Sequence, residues 1–140
     1  MNRREFVALT TAMTASSVLP AFAGMNGAIE YSPGLINERL ATGETLFLDF
    51  SATWCSTCKA QERVLNDLKA ENPAYDQAIT FVNVDWDEHG TGKLSQSLNI
   101  PRRSTLVVLK GNQELGRVVA GTSKAVIKEL MDTALAAATN

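Results

Sequence analysis

The stretch Leu46-Phe47-Leu48-Asp49-Phe50-Ser51-Ala52-Thr53-Trp54-Cys55-Ser56-Thr57-Cys58-Lys59 decides the fold of this chain. Residues 45–51 form a mostly apolar run interrupted by Asp49, which predicts a central strand covered on both faces. A helix is predicted over residues 55–70, with Val64, Leu65 and Leu68 as its apolar positions. Cys55 and Cys58 are the chain's 2 cysteines. A Cys-x-x-Cys pair at a helix start, just past a buried strand, brings two thiols within disulfide range. The unpaired N–H groups and the dipole of that helix terminus favour a thiolate on the first sulfur. Such a thiolate attacks another protein's disulfide, and the second cysteine resolves the mixed disulfide.

The spacing alone leaves other chemistries open. Zinc normally takes four ligands, and His89 is the one other soft or imidazole ligand in the chain. A purely structural disulfide across a two-residue spacer closes too short a loop to stabilise a fold much. Redox exchange, which needs no metal and no cofactor, is the better reading. The rival from another class is a metallochaperone holding Cu(I) between the two thiolates, since soft ligands suit that ion.

Outward from this stretch the chain reads as a single α/β domain. A loose lead-in over residues 24–32 carries a short strand near Ile29. Ser32-Pro33 predicts a helix start, with Ser32 as N-cap, and Gly43 predicts its stop. Asn72-Pro73 ends the long helix. Residues 79–84 predict a second buried strand, residues 85–90 a loop and residues 93–98 a short helix. Residues 105–109 and 114–120 flank a Gly111-Asn112 turn and predict an antiparallel hairpin. Ser123 caps a final helix that packs Val126, Ile127, Leu130 and Leu135. The expected architecture is a mixed central sheet of four to five strands with helices on both faces.

The N-terminal residues 1–23 read as an export signal that is later cleaved. Arg3-Arg4 opens it, followed by an apolar stretch softened by Thr10, Thr11, Thr14, Ser16 and Ser17. Ala21-Phe22-Ala23 suits cleavage before Gly24, and the paired arginines resemble a twin-arginine signal. Residues 24–140 then form the domain, in a periplasmic compartment where thiols tend to be oxidised. The net charge of −2 becomes one unit more negative when the signal is removed, which argues against nucleic acid as a partner. With no heptads and no long exposed apolar stretch, a monomer is expected.

Residues 46–135 resemble the thioredoxin superfamily. The likeness rests on Asp49 to Lys59 at the strand–helix junction, on Phe81-Val82-Asn83-Val84-Asp85, and on Thr105-Leu106-Val107-Val108-Leu109-Lys110-Gly111. Glu62 makes the chain more similar to the C-terminal domain of the transmembrane reductase DsbD than to cytosolic thioredoxin. The resemblance implies a thiol–disulfide oxidoreductase acting on protein disulfides. In it Cys55 attacks, a buried Cys58 resolves, and Asp49 carries protons to and from Cys58. Trp54 would cover one side of the pair, and Trp54, Arg103, Ser104 and Thr105 would meet the substrate. A carboxyl inside an apolar strand should bind its proton tightly enough to act as a base near neutrality.

Two positions depart from the family pattern. Ser104 stands where the family has a cis-proline, and a cis bond before a non-proline costs about 3 kcal/mol, so the Arg103–Ser104 peptide is expected trans. That puts a hydroxyl near the thiolate and, without the proline, keeps the metal reading alive. Phe81 stands where thioredoxin has a lysine, leaving Asp49 without a cationic neighbour. Arg102 and Arg103 fit either a solvated turn or a pair that acidifies Cys55 and selects acidic partners. Trp86 and His89 fit either the rim of the site or a packing aromatic and a surface histidine. The Ser56-Thr57 spacer carries no histidine, which favours a reductant or electron carrier over an oxidase or isomerase. A reductant in that compartment implies a membrane electron donor.

Overall fold

The computed structural model describes residues 27–140, so the export signal read over residues 1–23 lies outside it. Five strands form one sheet: β1 (Ile29–Glu30), β2 (Thr45–Ser51), β3 (Thr80–Asp85), β4 (Thr105–Lys110) and β5 (Gln113–Val119), in the spatial order β1-β3-β2-β4-β5. The first three run parallel, and β4 and β5 are added antiparallel. Helices α1 (Leu35–Ala41), α2 (Ser56–Glu71), α3 (Ala74–Ala78), α4 (Trp86–His89), α5 (Lys93–Ser97) and α6 (Lys124–Thr139) complete the chain. The architecture is the thioredoxin-like mixed sheet expected from the sequence.

Strand period divides the core. Leu46, Leu48 and Phe50 of β2 point into a cluster with Ile36, Val82, Val84, Val107 and Leu109, closed by α1, α4 and α5. Phe47 points the other way, to Leu65, Leu68, Tyr75, Leu106, Ile127 and Met131 beneath α2, α3 and α6. By the same alternation Asp49 lies on the α2 side. The near-continuous hydrophobicity of β2 is thus the consequence of helices on both faces.

Three local readings are corrected. Ser32-Pro33-Gly34 is a turn, not a helix start: Leu35 N–H donates to the Ser32 carbonyl at 3.1 Å, and Gly34 takes φ 89°. Pro followed by Gly suits the two central positions of such a turn, and Gly34 becomes the N-cap of α1. Asn72-Pro73 ends α2 as read, with Asn72 extended at its C-cap, and the chain then re-enters a helix at once, because Pro73 with φ −60° is already helical and the Asn72 side chain accepts from Ala74 N–H. Residues 86–89 form a helical turn rather than a loop, since the Asp85 carboxylate caps it by accepting from Asp87 N–H at 3.0 Å. In α6 the buried stripe is Ile127, Leu130, Met131 and Ala134. Val126, one residue off that stripe, is 46% exposed, and Ser123 holds the N-cap position without a side-chain hydrogen bond.

Candidate active site

Strand β2 ends at Ser51, and the short loop after it delivers Cys55 as the N-cap of α2. Its Sγ accepts from the Cys58 N–H at 3.1 Å, so the sulfur itself satisfies one of the orphan donors of the helix terminus. Cys55 and Cys58 are joined as a disulfide with their Cα atoms 5.2 Å apart. Both residues are buried, at 2% and 4% exposure, and Trp86 packs against their cluster with Ala52. Trp86 is therefore one aromatic packed against the pair.

Trp54 is 57% exposed. Its indole N–H donates to the Asp87 carboxylate at 3.0 Å, and the Arg103 guanidinium lies over its ring, 4.5 Å from the centroid. Arg103 thus stacks on Trp54, and Arg102 Nε donates to the Arg103 carbonyl at 3.1 Å. Thr105 is buried, and its hydroxyl closes the same loop by donating to the Arg102 carbonyl. His89 packs edge-on against Tyr31, with ring centroids 4.7 Å apart.

Ser104 is fully buried at 0% exposure and takes φ 61°. Its peptide is trans, as the cost of a non-proline cis bond requires. Its Oγ lies 3.1 Å from Cys55 Sγ and 3.1 Å from Cys58 Sγ. Three hydrogen bonds pin its backbone: its N–H donates to the Phe50 carbonyl at 2.7 Å, and its carbonyl accepts from Ala120 N–H and from Gln61 Nε2. Sequence reasoning missed Gln61. It is fully buried in α2 and spans the Ser104 and Gly121 carbonyls, each at 2.9 Å. The signal for it was present: Cys58, Gln61, Leu65 and Leu68 form one inward stripe, and a polar residue there needs a buried partner.

Asp49 borders a cavity of about 520 Å³ between α2 and the β1–β3–β2 edge, shared with Cys58, Glu62, Lys69, Phe81 and Asn83. The residue as a whole is half-buried, yet its Oδ1 is out of contact with solvent and has no hydrogen-bond partner among the described residues. Burial, reinforced by the nearby negative charge of Glu62, raises its pKa from the ordinary 3.8 to about 7. Lys69 opposes that shift. Its ammonium sits 3.7 Å over the Phe81 ring and pairs with Asp76 at 3.2 Å. Asp49 is therefore not without a cation: the charge that Phe81 does not supply from β3 reaches it from α2.

A disulfide at a helix start, a hydroxyl on both sulfurs and a carboxyl lining the same cavity as the second cysteine equip the site for thiol–disulfide exchange. The sequence profile of thioredoxin matches residues 32–133. The chain belongs to the thioredoxin family. The thioredoxin of Echinococcus granulosus is 35% identical over 95 residues, covering 67% of this chain and 82% of that one. That of Mycobacterium tuberculosis is 33% identical over 94 residues, covering 66% and 77%. Among solved structures, Trxlp from Edwardsiella tarda superposes with a TM-score of 0.63 at 29% identity, over 73% of this chain and 96% of that one. Schistosoma mansoni thioredoxin gives 0.59 at 28%, over 75% and 93%. Family and site together make the chain a thiol–disulfide oxidoreductase, of a family that works on protein disulfides.

Proposed function

We propose that this thioredoxin-family protein is exported and acts there, as a monomer, as a disulfide reductant or electron carrier fed by a membrane donor. The observation that carries the reductant reading is the Ser56-Thr57 spacer, which places no cation between the sulfurs to stabilise the reduced form. Export rests on residues 1–23, and the DsbD-like character on Glu62 beside the buried acid. The exposed Trp54 with Arg103 over its ring suits partners that bring acidic groups to the rim.

In the reducing direction the Cys55 thiolate attacks a partner disulfide, forming a new S–S bond. The first partner sulfur leaves with the electron pair and takes a proton from water. Cys58 gives its thiol proton to Asp49, which borders the same cavity, and attacks Cys55 Sγ. The second partner sulfur leaves with its electron pair and is protonated. Two electrons pass from two cysteine thiols to one partner disulfide.

The test is the reduction potential of the Cys55–Cys58 pair in glutathione or dithiothreitol buffers. A value near or below about −230 mV supports a reductant, whereas one near about −120 mV makes the protein an oxidant. A pair that forms no disulfide and retains copper on purification overturns the redox reading in favour of Cu(I) carriage.

A further inference from the structure

The hydroxyl of Ser104 touches both reacting sulfurs, each at 3.1 Å, in a fully buried niche. In the disulfide neither sulfur carries hydrogen, so of these three atoms Ser104 Oγ alone can donate. Its single proton serves one sulfur at a time, and the second contact goes unsatisfied. Reduction changes this inventory. A Cys58 thiol brings a hydrogen to donate, and a Cys55 thiolate brings a full charge to accept one.

We propose that Ser104 is a catalytic residue of the exchange reaction, its hydroxyl donating to the Cys55 thiolate while accepting from the Cys58 thiol. The chain Cys58 Sγ–H to Ser104 Oγ–H to Cys55 Sγ⁻ satisfies both contacts that the disulfide can satisfy only in part. The helix N-cap position selects Cys55 as the charged sulfur, and the hydroxyl, equidistant from both sulfurs, turns its proton to that charge. Because a hydrogen bond to a charged acceptor is the stronger kind, the hydroxyl stabilises the reduced monoanion more than the disulfide. Two consequences follow in sign. The hydroxyl lowers the pKa of the first thiol to ionise, and it makes the pair more oxidising than the same site without it.

A loop-holding role does not account for the hydroxyl. The backbone of Ser104 is already held by Phe50, Ala120 and Gln61, and among the described residues no other hydrogen bond of Oγ competes with the sulfurs. The φ of 61° is one that glycine adopts without strain, so Ser104→Gly removes the hydroxyl and leaves the backbone its conformation. Ser104→Ala removes the same hydroxyl at a small backbone cost.

This role rests on the redox reading of the cysteine pair, and the experiment separates the two. In reduced full-length protein, thiolate absorbance followed against pH gives the first thiol ionisation, and glutathione buffers give the redox equilibrium. Both variants should raise the first ionisation by about one pH unit, making the thiol a roughly tenfold weaker acid. At a pH above that ionisation the redox equilibrium should move about tenfold toward the disulfide, or about 30 mV more negative. Unchanged ionisation and equilibrium in both variants overturn the proposal. So does a shift in Ser104→Ala alone, which would assign the effect to backbone strain. Failure of the wild type to reduce insulin disulfides would sink the redox reading itself.

Discussion

Replacing Asp49 with asparagine removes the one group in the site whose charge the fold resists, and the effect on stability can be worked through. Its pKa rises from 3.8 in the ordinary state to about 7 in the folded protein, chiefly by burial and secondly by Glu62. The folded state therefore keeps a proton that the unfolded chain has already lost between those values. Stability falls as pH rises through that window and stays lower above it, the reverse of a salt-bridged aspartate. At about 1.4 kcal/mol per pH unit the full penalty is roughly 4 kcal/mol, an upper bound because the adjoining cavity lets water screen the charge. The amide of the Asp49→Asn variant cannot ionise and should escape the penalty. Urea unfolding of oxidised wild type and Asp49→Asn from pH 4 to pH 9 tests this, since all other titrating groups are common to both proteins. The variant should gain steadily on the wild type from acid to neutral pH and then hold its advantage. A stability difference constant across that range to within about 0.5 kcal/mol, the ordinary scatter of additive sites, would refute the reasoning.

The same titration gives two opposite shifts: Glu62→Gln should move the Asp49 midpoint down and Lys69→Met should move it up, because their charges act on it with opposite sign. Cys58→Ser should trap a partner protein on Cys55 as a mixed disulfide that runs as a reducible band on gels, while Cys55→Ser should trap none. Gln61→Ala removes the amide that donates to the buried Ser104 carbonyl and the part-buried Gly121 carbonyl and should cost roughly 1–3 kcal/mol by urea unfolding. Leu106→Ala, at a fully buried position in the core beneath α2 and α6, should cost about 2–5 kcal/mol in the same assay.

The sequence made β2, its junction with α2 and the β4–β5 hairpin readable because strand period, helix start and turn chemistry agree there. Ser32-Pro33 and Asp85 misled for a local reason. Each ends one conformation and begins another within two residues, and Ser32-Pro33 satisfies a helix start and a turn equally well until the backbone is seen. Gln61 and Lys69 were harder. Their roles depend on which strand lies under α2, and the distances between Gln61, Ser104 and Gly121 belong to the tertiary fold. Phe81 suggested a missing charge, yet the lysine that takes its place comes from a different element and stands over that very ring. Ser104 was legible as a departure from pattern, but its equal approach to two sulfurs was not.

Gln61 also bears on how the molecule comes to be made. Cys55 and Cys58 are neighbours from the moment they are synthesised, whereas Gln61 reaches Ser104 across 43 residues and Gly121 across 60. Contacts that close such long loops carry their entropic cost up front and make for slow folding. A chain in which β4 has not yet docked on β2 holds two proximate thiols without the hydroxyl that touches them, the carbonyl ties or the sheet register that aims Asp49. Pairing of the cysteines and completion of their surroundings are thus separate events, and the second waits for the most distant parts of the chain to meet.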